Sequence, residues 1–131
     1  QYDLKPLEAC LQAFAAQSSN FRVRTSGLGI FTGAQPVLFI PVVRSPELSD
    51  FQRRLWSEVS RYAADSAEYY DPAYWLPHIT LGQGDIDHDM LPKLVRLLSE
   101  RDFDWEMDVN NLSIIHDTGA QQVVRLRVPF A

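Results

Sequence analysis

The turn sequence Thr32-Gly33-Ala34-Gln35 recurs as Thr118-Gly119-Ala120-Gln121, an offset of 86 residues, and Val37 and Val123 stay in step with it. A repeat at fixed offset constrains a fold more than any local propensity, because the two copies must build the same supersecondary unit. The elements around the copies agree with that reading. The apolar and polar periodicities give the order α, β, β, α, β, α, β, β. Its second half is strand, helix, strand, strand; its first half is helix, strand, strand. The repeat therefore predicts an α+β fold made from a duplicated βαββ unit, whose first strand lies just upstream of Gln1. The expectation is one domain over residues 1–131, incomplete at its N-terminus.

The elements follow from residue spacing. Leu4, Leu7, Leu11 and Phe14 recur at helical intervals, with Asp3 as cap and Pro6 in the tolerated first turn, so Leu4 to Gln17 is predicted helical. Phe21 and Val23 alternate with Arg22 and Arg24 in a strand that runs past Gly27 and Gly29 to Phe31 with a bend or bulge. Val37 to Val43 is a more apolar strand, and the 32–35 turn makes the two a hairpin. Ser45 caps and Pro46 opens a second helix with Leu48, Phe51, Leu55, Val59 and Tyr62 on one face. Asp65 to Leu76 lacks a period and reads as a loop. His78 to Leu81 is a strand, Met90 to Leu98 a helix. Phe103, Trp105, Met107 and Val109 alternate in a strand continuing towards Ile115, and Val123 to Val128 alternates again.

Composition bounds the function. With 131 residues, 46% of them hydrophobic and 22% charged, the chain fits one globular domain. Its single cysteine, Cys10, excludes an internal disulfide. The net charge of −5 and pI of about 5.0 exclude a broad basic footprint for duplex DNA. A few local donors can still hold one phosphodiester. No apolar run approaches the roughly 18 residues of a membrane span, and because the first residues do not read as a basic-then-apolar segment with a small-residue cleavage site, no leader is expected. The expectation is a cytoplasmic monomer without a membrane partner. A chain that starts at Gln1 and enters a helical pattern at once is expected to have a piece upstream.

Pro77-His78-Ile79-Thr80-Leu81 carries the chemistry. On a strand His78 and Thr80 share one face, about 6 to 7 Å apart at their Cα atoms, while Ile79 and Leu81 face the other side and are expected in the core. An imidazole can move a proton near neutral pH, and a hydroxyl beside it can donate to a nonbridging phosphate oxygen. Any strand containing His-x-Thr would match, so on the motif alone the structural reading of His78 leads. The repeat adds specificity. Subtracting 86 puts the counterpart pair on the upstream strand, about eight and six residues before Gln1. Two imidazoles about one phosphate supply a general base and a general acid.

At these residues the chain resembles the 2H phosphoesterases, the family of the 2′-5′ RNA ligase-like proteins and RNA 2′,3′-cyclic phosphodiesterases. The resemblance runs through Ser26-Gly27-Leu28-Gly29-Ile30-Phe31, the Val37 to Val43 strand, the Ser45 to Ala64 helix and Pro77 to Leu81. It implies a two-lobed α+β fold with two H-x-T/S motifs on adjacent central strands. His78 and Thr80 match the second, and the first precedes the helix that starts near Leu4. Gln83 stands where relatives often carry a basic residue. The implied activity is cleavage of an RNA 2′,3′-cyclic phosphate or a 2′-5′ phosphodiester, or the reverse ligation, by two histidines without metal or cofactor. The substrate is an RNA end or a small cyclic nucleotide.

Other residues admit two readings. Tyr69, Tyr70, Tyr74 and Trp75 crowd the loop before His78. Tyr70 and Tyr74 either stack on a base or cover a core edge, whereas Trp75 reads as packing. The pairs Arg22 with Arg24 and Arg125 with Arg127 either line a phosphate cleft or form the solvated face of a sheet. Arg125 and Arg127 join Tyr70 and Tyr74 as candidate substrate contacts. His116-Asp117-Thr118 is a second H-x-T, but Thr118 opens the repeated turn and turn chemistry accounts for it. His88 reads as an exposed first-turn residue and Cys10 as core. No histidine and carboxylate spacing suggests a zinc site. Two alternatives to an enzyme are a binding module of the same fold for nucleotides or RNA ends, and an unrelated α+β interaction domain in which His78 is a satisfied core residue.

Overall fold

Leu11 and Ala15 lie one turn apart, and both are buried on the inner face of the first helix, α1 (Lys5–Ala16). A computed structural model describes residues 4–62 and 70–131. Leu4 is the N-cap without a side-chain cap, Pro6 occupies the first turn, and the predicted cap Asp3 lies outside the described residues. The strands are β1 (Phe21–Arg24), β2 (Gly29–Phe31), β3 (Val37–Pro41), β4 (His78–Gly82), β5 (Glu106–Val109), β6 (Asn111–Asp117) and β7 (Gln122–Pro129), with further helices α2 (Pro46–Val59) and α3 (Leu91–Ser99). The class is α+β, as predicted. Strand β1 pairs with β5, β3 lies between β2 and β4 and pairs with both, and β6 pairs with β7.

The chain divides into two compact units. The first (Gln1–Arg22, Pro46–Tyr74 and Asp108–Ala131) holds α1, α2, β6 and β7. Its core centres on Phe51, whose ring lies 5.5 Å from Phe14, 5.0 Å from Phe21 and 5.6 Å from Phe130. Leu48 and Gln52 are buried on the same helix face, as the 3.6-residue period requires. Tyr62 departs from the predicted face and is 46% exposed. The helix ends at Val59 and tightens into a 3-10 turn over Ser60–Tyr62, and three residues per turn rotate Tyr62 away from the stripe.

The second unit (Val23–Ser45 and Trp75–Met107) holds the three-stranded sheet and α3. Leu38 and Ile40 are fully buried on one face of β3, and Val23, Ile86 and Phe103 are buried in the same unit. The strand predicted from Phe21 to Phe31 is two. Thr25 is buried, its hydroxyl donates to the Phe103 carbonyl and accepts from the Trp105 amide at 2.8 Å, and Gly27 turns the chain at φ 74°. Only glycine adopts that conformation without strain. The strand predicted from Phe103 to Ile115 is also two, β5 and β6, with different partners.

Both copies of the repeated turn join antiparallel strands, as predicted, and Gly33 (φ 138°) and Gly119 (φ 86°) both have positive φ. The last pairs differ by one residue. Phe31 faces Val37, whereas Asp117 faces Gln122. In the second turn the Thr118 amide and hydroxyl both donate to the Gln121 carbonyl, each at 3.0 Å, and Asp117 accepts from the Gly119 amide at 2.8 Å.

Candidate active site

Strand β4 pairs antiparallel with β3 through His78↔Pro41, Ile79↔Ile40, Thr80↔Phe39 and Gly82↔Leu38. Between the last two pairs β4 advances two residues and β3 one, so Leu81 is the extra residue of a β-bulge. This corrects the core placement of Leu81, which is 44% exposed. Ile79, opposite the fully buried Ile40, is half-buried. Above Gly82 the space belongs to Ile86, whose Cδ1 would lie 2.6 Å from any added Cβ.

On the other face of the sheet stand His78, Thr80 and Phe39. Directly opposed residues of paired strands project to one side, and Thr80 is opposite Phe39. Phe39 stacks on Phe31 at 4.1 Å between centroids, and the His78 ring stands edge-on to both, at 4.9 Å from Phe31 and 5.4 Å from Phe39. Gly29 admits this packing, since a Cβ there would lie 2.3 Å from Cζ of Phe39. The imidazole therefore has an aromatic wall on one side, while His78 and Thr80 are exposed to solvent. The expected alternative of a buried, satisfied histidine does not hold.

The ring is oriented by its own chain. His78 Nδ1 lies 2.7 Å from the carbonyl oxygen of Leu76. A carbonyl only accepts, so Nδ1 carries the proton in the neutral imidazole and Nε2 is left with its lone pair. The Thr80 hydroxyl has no hydrogen-bond partner among the described residues. Strand β4 is last in its sheet, and its outer edge carries no hydrogen-bonded strand among the described residues. That edge is competent to pair with a further strand.

The remaining candidates separate by their partners. Arg22 and Arg24 are bound to Asp108 (3.2 Å) and Glu106 (3.5 Å). Arg125 and Arg127 lie exposed on β7 and make no ion pair among the described residues. Arg127 faces Ser113, and Arg125 sits at a shift of register where Ile114↔Leu126 is followed by Ile115↔Val124. Tyr70 and Tyr74 are 57% and 62% exposed; the Tyr70 carbonyl accepts from Nε2 of the buried Gln52 at 2.7 Å. Tyr69 lies outside the described residues. Tyr70, Tyr74, Arg125 and Arg127 belong to the first unit, His78 and Thr80 to the second.

Trp75 is half-buried beneath the Arg44 guanidinium. Thr118 is absorbed by its turn, His88 is exposed ahead of α3, and Cys10 is half-buried rather than core. The described residues contain no cluster of three or more His, Cys, Asp or Glu able to hold a metal ion, and no helix among them is long and apolar enough to cross a membrane. Sequence reasoning missed Phe31, Phe39 and Arg44 as neighbours of the motif. Alternation on β3 marks Phe39 as sheet-facing but does not say which face receives the histidine.

The model of a family described as the 2′-5′ RNA ligase superfamily matches residues 2–121. No curated protein matches the chain.

Proposed function

The chain belongs to the 2′-5′ RNA ligase superfamily, which is the 2H phosphoesterase superfamily, and from that membership we propose that it cleaves RNA 2′,3′-cyclic phosphates or 2′-5′ phosphodiesters by proton transfer at His78. The superfamily is generally enzymatic. The observation that carries the reading is the contact between His78 Nδ1 and the Leu76 carbonyl, which leaves Nε2 as the nitrogen able to take a proton.

In cleavage of a cyclic phosphate, water attacks phosphorus in line with the leaving ribose oxygen. One base removes the water proton as the P–O bond forms, and one acid delivers a proton to the ribose oxygen as the other P–O bond breaks. Neutral His78 fits the first role and its protonated form the second. The hydroxyl of Thr80 donates to a nonbridging oxygen, where negative charge grows in the transition state. The other proton transfer falls to a second imidazole, as the two-histidine scheme requires. By residue type alone, Arg125 and Arg127 are candidates for phosphate and Tyr70 and Tyr74 for base stacking.

The test uses protein expressed from the complete open reading frame, incubated with nucleoside 2′,3′-cyclic phosphates and a 2′-5′-linked dinucleotide and followed by phosphorus NMR. Appearance of a phosphate monoester or of a cleaved dinucleotide is expected. Saturable binding with no turnover of any of these substrates overturns the enzymatic reading and leaves a nucleotide-binding module.

A further inference from the structure

Three consecutive carbonyls lead into His78, and each is held. The Trp75 carbonyl accepts from Nη1 of Arg44 at 2.9 Å, the Leu76 carbonyl from His78 Nδ1 at 2.7 Å, and the Pro77 carbonyl from the Val42 amide at 3.0 Å. The Arg44 guanidinium also stands 5.7 Å from the centroid of the Trp75 ring. The chain that carries these anchors is itself fixed, because Val42 bridges Thr25 and the Val43 amide donates to the Arg24 carbonyl at 2.7 Å.

Backbone stereochemistry makes the outer two anchors control the middle one. Leu76 precedes a proline and is restricted to extended conformations, and the Pro77 ring fixes its own φ. With the carbonyls of Trp75 and Pro77 pinned, the Leu76 carbonyl has little freedom left and is aimed at the imidazole. One of the two outer anchors is a backbone amide. The other is a side chain, and it is exposed.

We propose that Arg44 is a positioning residue for His78: by holding the carbonyl and ring of Trp75 it keeps the Leu76 carbonyl on Nδ1, and so keeps Nε2 as the proton-accepting nitrogen. Its consequence for rate rests on the catalytic reading of His78, whereas its consequence for the tautomer does not. Planarity matters here, since a guanidinium can lie over the indole and donate to the carbonyl together, and an ammonium replaces only the point charge.

The experiment compares wild type, Arg44→Ala and Arg44→Lys by nitrogen-15 NMR of the His78 ring in otherwise complete protein, with thermal unfolding as a check of folding. Wild type is expected to show the Nδ1–H form, Arg44→Ala a mixture of both tautomers, and Arg44→Lys a partial return. On the cyclic substrate kcat falls by about 10- to 100-fold in Arg44→Ala with KM little changed. A tautomer signal identical in folded wild type and Arg44→Ala overturns the inference whatever the rates do. If Arg44→Ala fails to fold, Arg44→Met, which keeps an aliphatic stem and removes the donors to the Trp75 carbonyl, is read by the same signal and the same criterion. Retained turnover in His78→Ala would instead overturn the catalytic reading and leave the tautomer result standing.

Discussion

Thr80 and Phe39 face each other across β4 and β3, so the hydroxyl of the H-x-T motif stands beside the aromatic pair that walls His78. A hydroxyl with no hydrogen-bond partner among the described residues is free to serve a ligand. Thr80→Val is expected to lower kcat by about 10²- to 10³-fold, the usual effect of removing a donor to transition-state charge. Thr80→Ser keeps the donor and is expected to stay within about tenfold of wild type, the same comparison read on a milder scale. Steady-state kinetics on a cyclic nucleotide separate the two, and equal loss in both variants contradicts the role.

Gly29 lies under the Phe39 ring, where a Cβ would come within 2.3 Å of Cζ. Gly29→Ala must displace a ring stacked on Phe31 and packed against His78. Overpacking of this kind costs about 1 to 3 kcal/mol. The expected result is a lower denaturant midpoint with an unchanged m-value, together with a shifted His78 ring resonance.

Thr25 is 3% exposed, and its one hydroxyl serves the Phe103 carbonyl and the Trp105 amide. Thr25→Val keeps the shape and leaves both backbone groups without that partner. The expected destabilisation is about 1 to 3 kcal/mol, the cost of stranding buried polar groups, measured by urea unfolding. A loss below the scatter of surface substitutions, about 0.5 kcal/mol, would contradict it.

Arg22 and Asp108 are 86 residues apart in sequence and form an ion pair at 3.2 Å, the same separation as the repeated turn. Their side chains are 70% and 62% exposed, so the pair is worth about 0.2 to 1 kcal/mol. Arg22→Asp and Asp108→Arg are each expected to destabilise slightly and to restore stability when combined. Additive effects in the double variant would show that the contact carries nothing.

Much of the site was legible because a strand has a period of two. His78 and Thr80 had to share a face, and Thr118 had to belong to a turn with Asp117 and Gly119 around it. Leu81 departs from the expected alternation because one bulge breaks that period, and a bulge arises from the register of β4 against β3, which no single strand reveals. The long strands from Phe21 and from Phe103 were divided for a related reason. Alternation continues in the sequence, but Thr25 and Gly27 turn the chain to a different partner. Phe39 and Arg44 escaped notice because their importance depends on what lies across the sheet or 31 residues away, which spacing along the chain does not encode.

The most direct test of the account is turnover of a nucleoside 2′,3′-cyclic phosphate by His78→Ala beside wild type, in protein from the complete open reading frame. Removing a group that transfers a proton in the transition state is expected to lower kcat by about 10²- to 10⁴-fold, with folding unchanged because His78 is exposed. Turnover by His78→Ala equal to wild type would contradict the central claim.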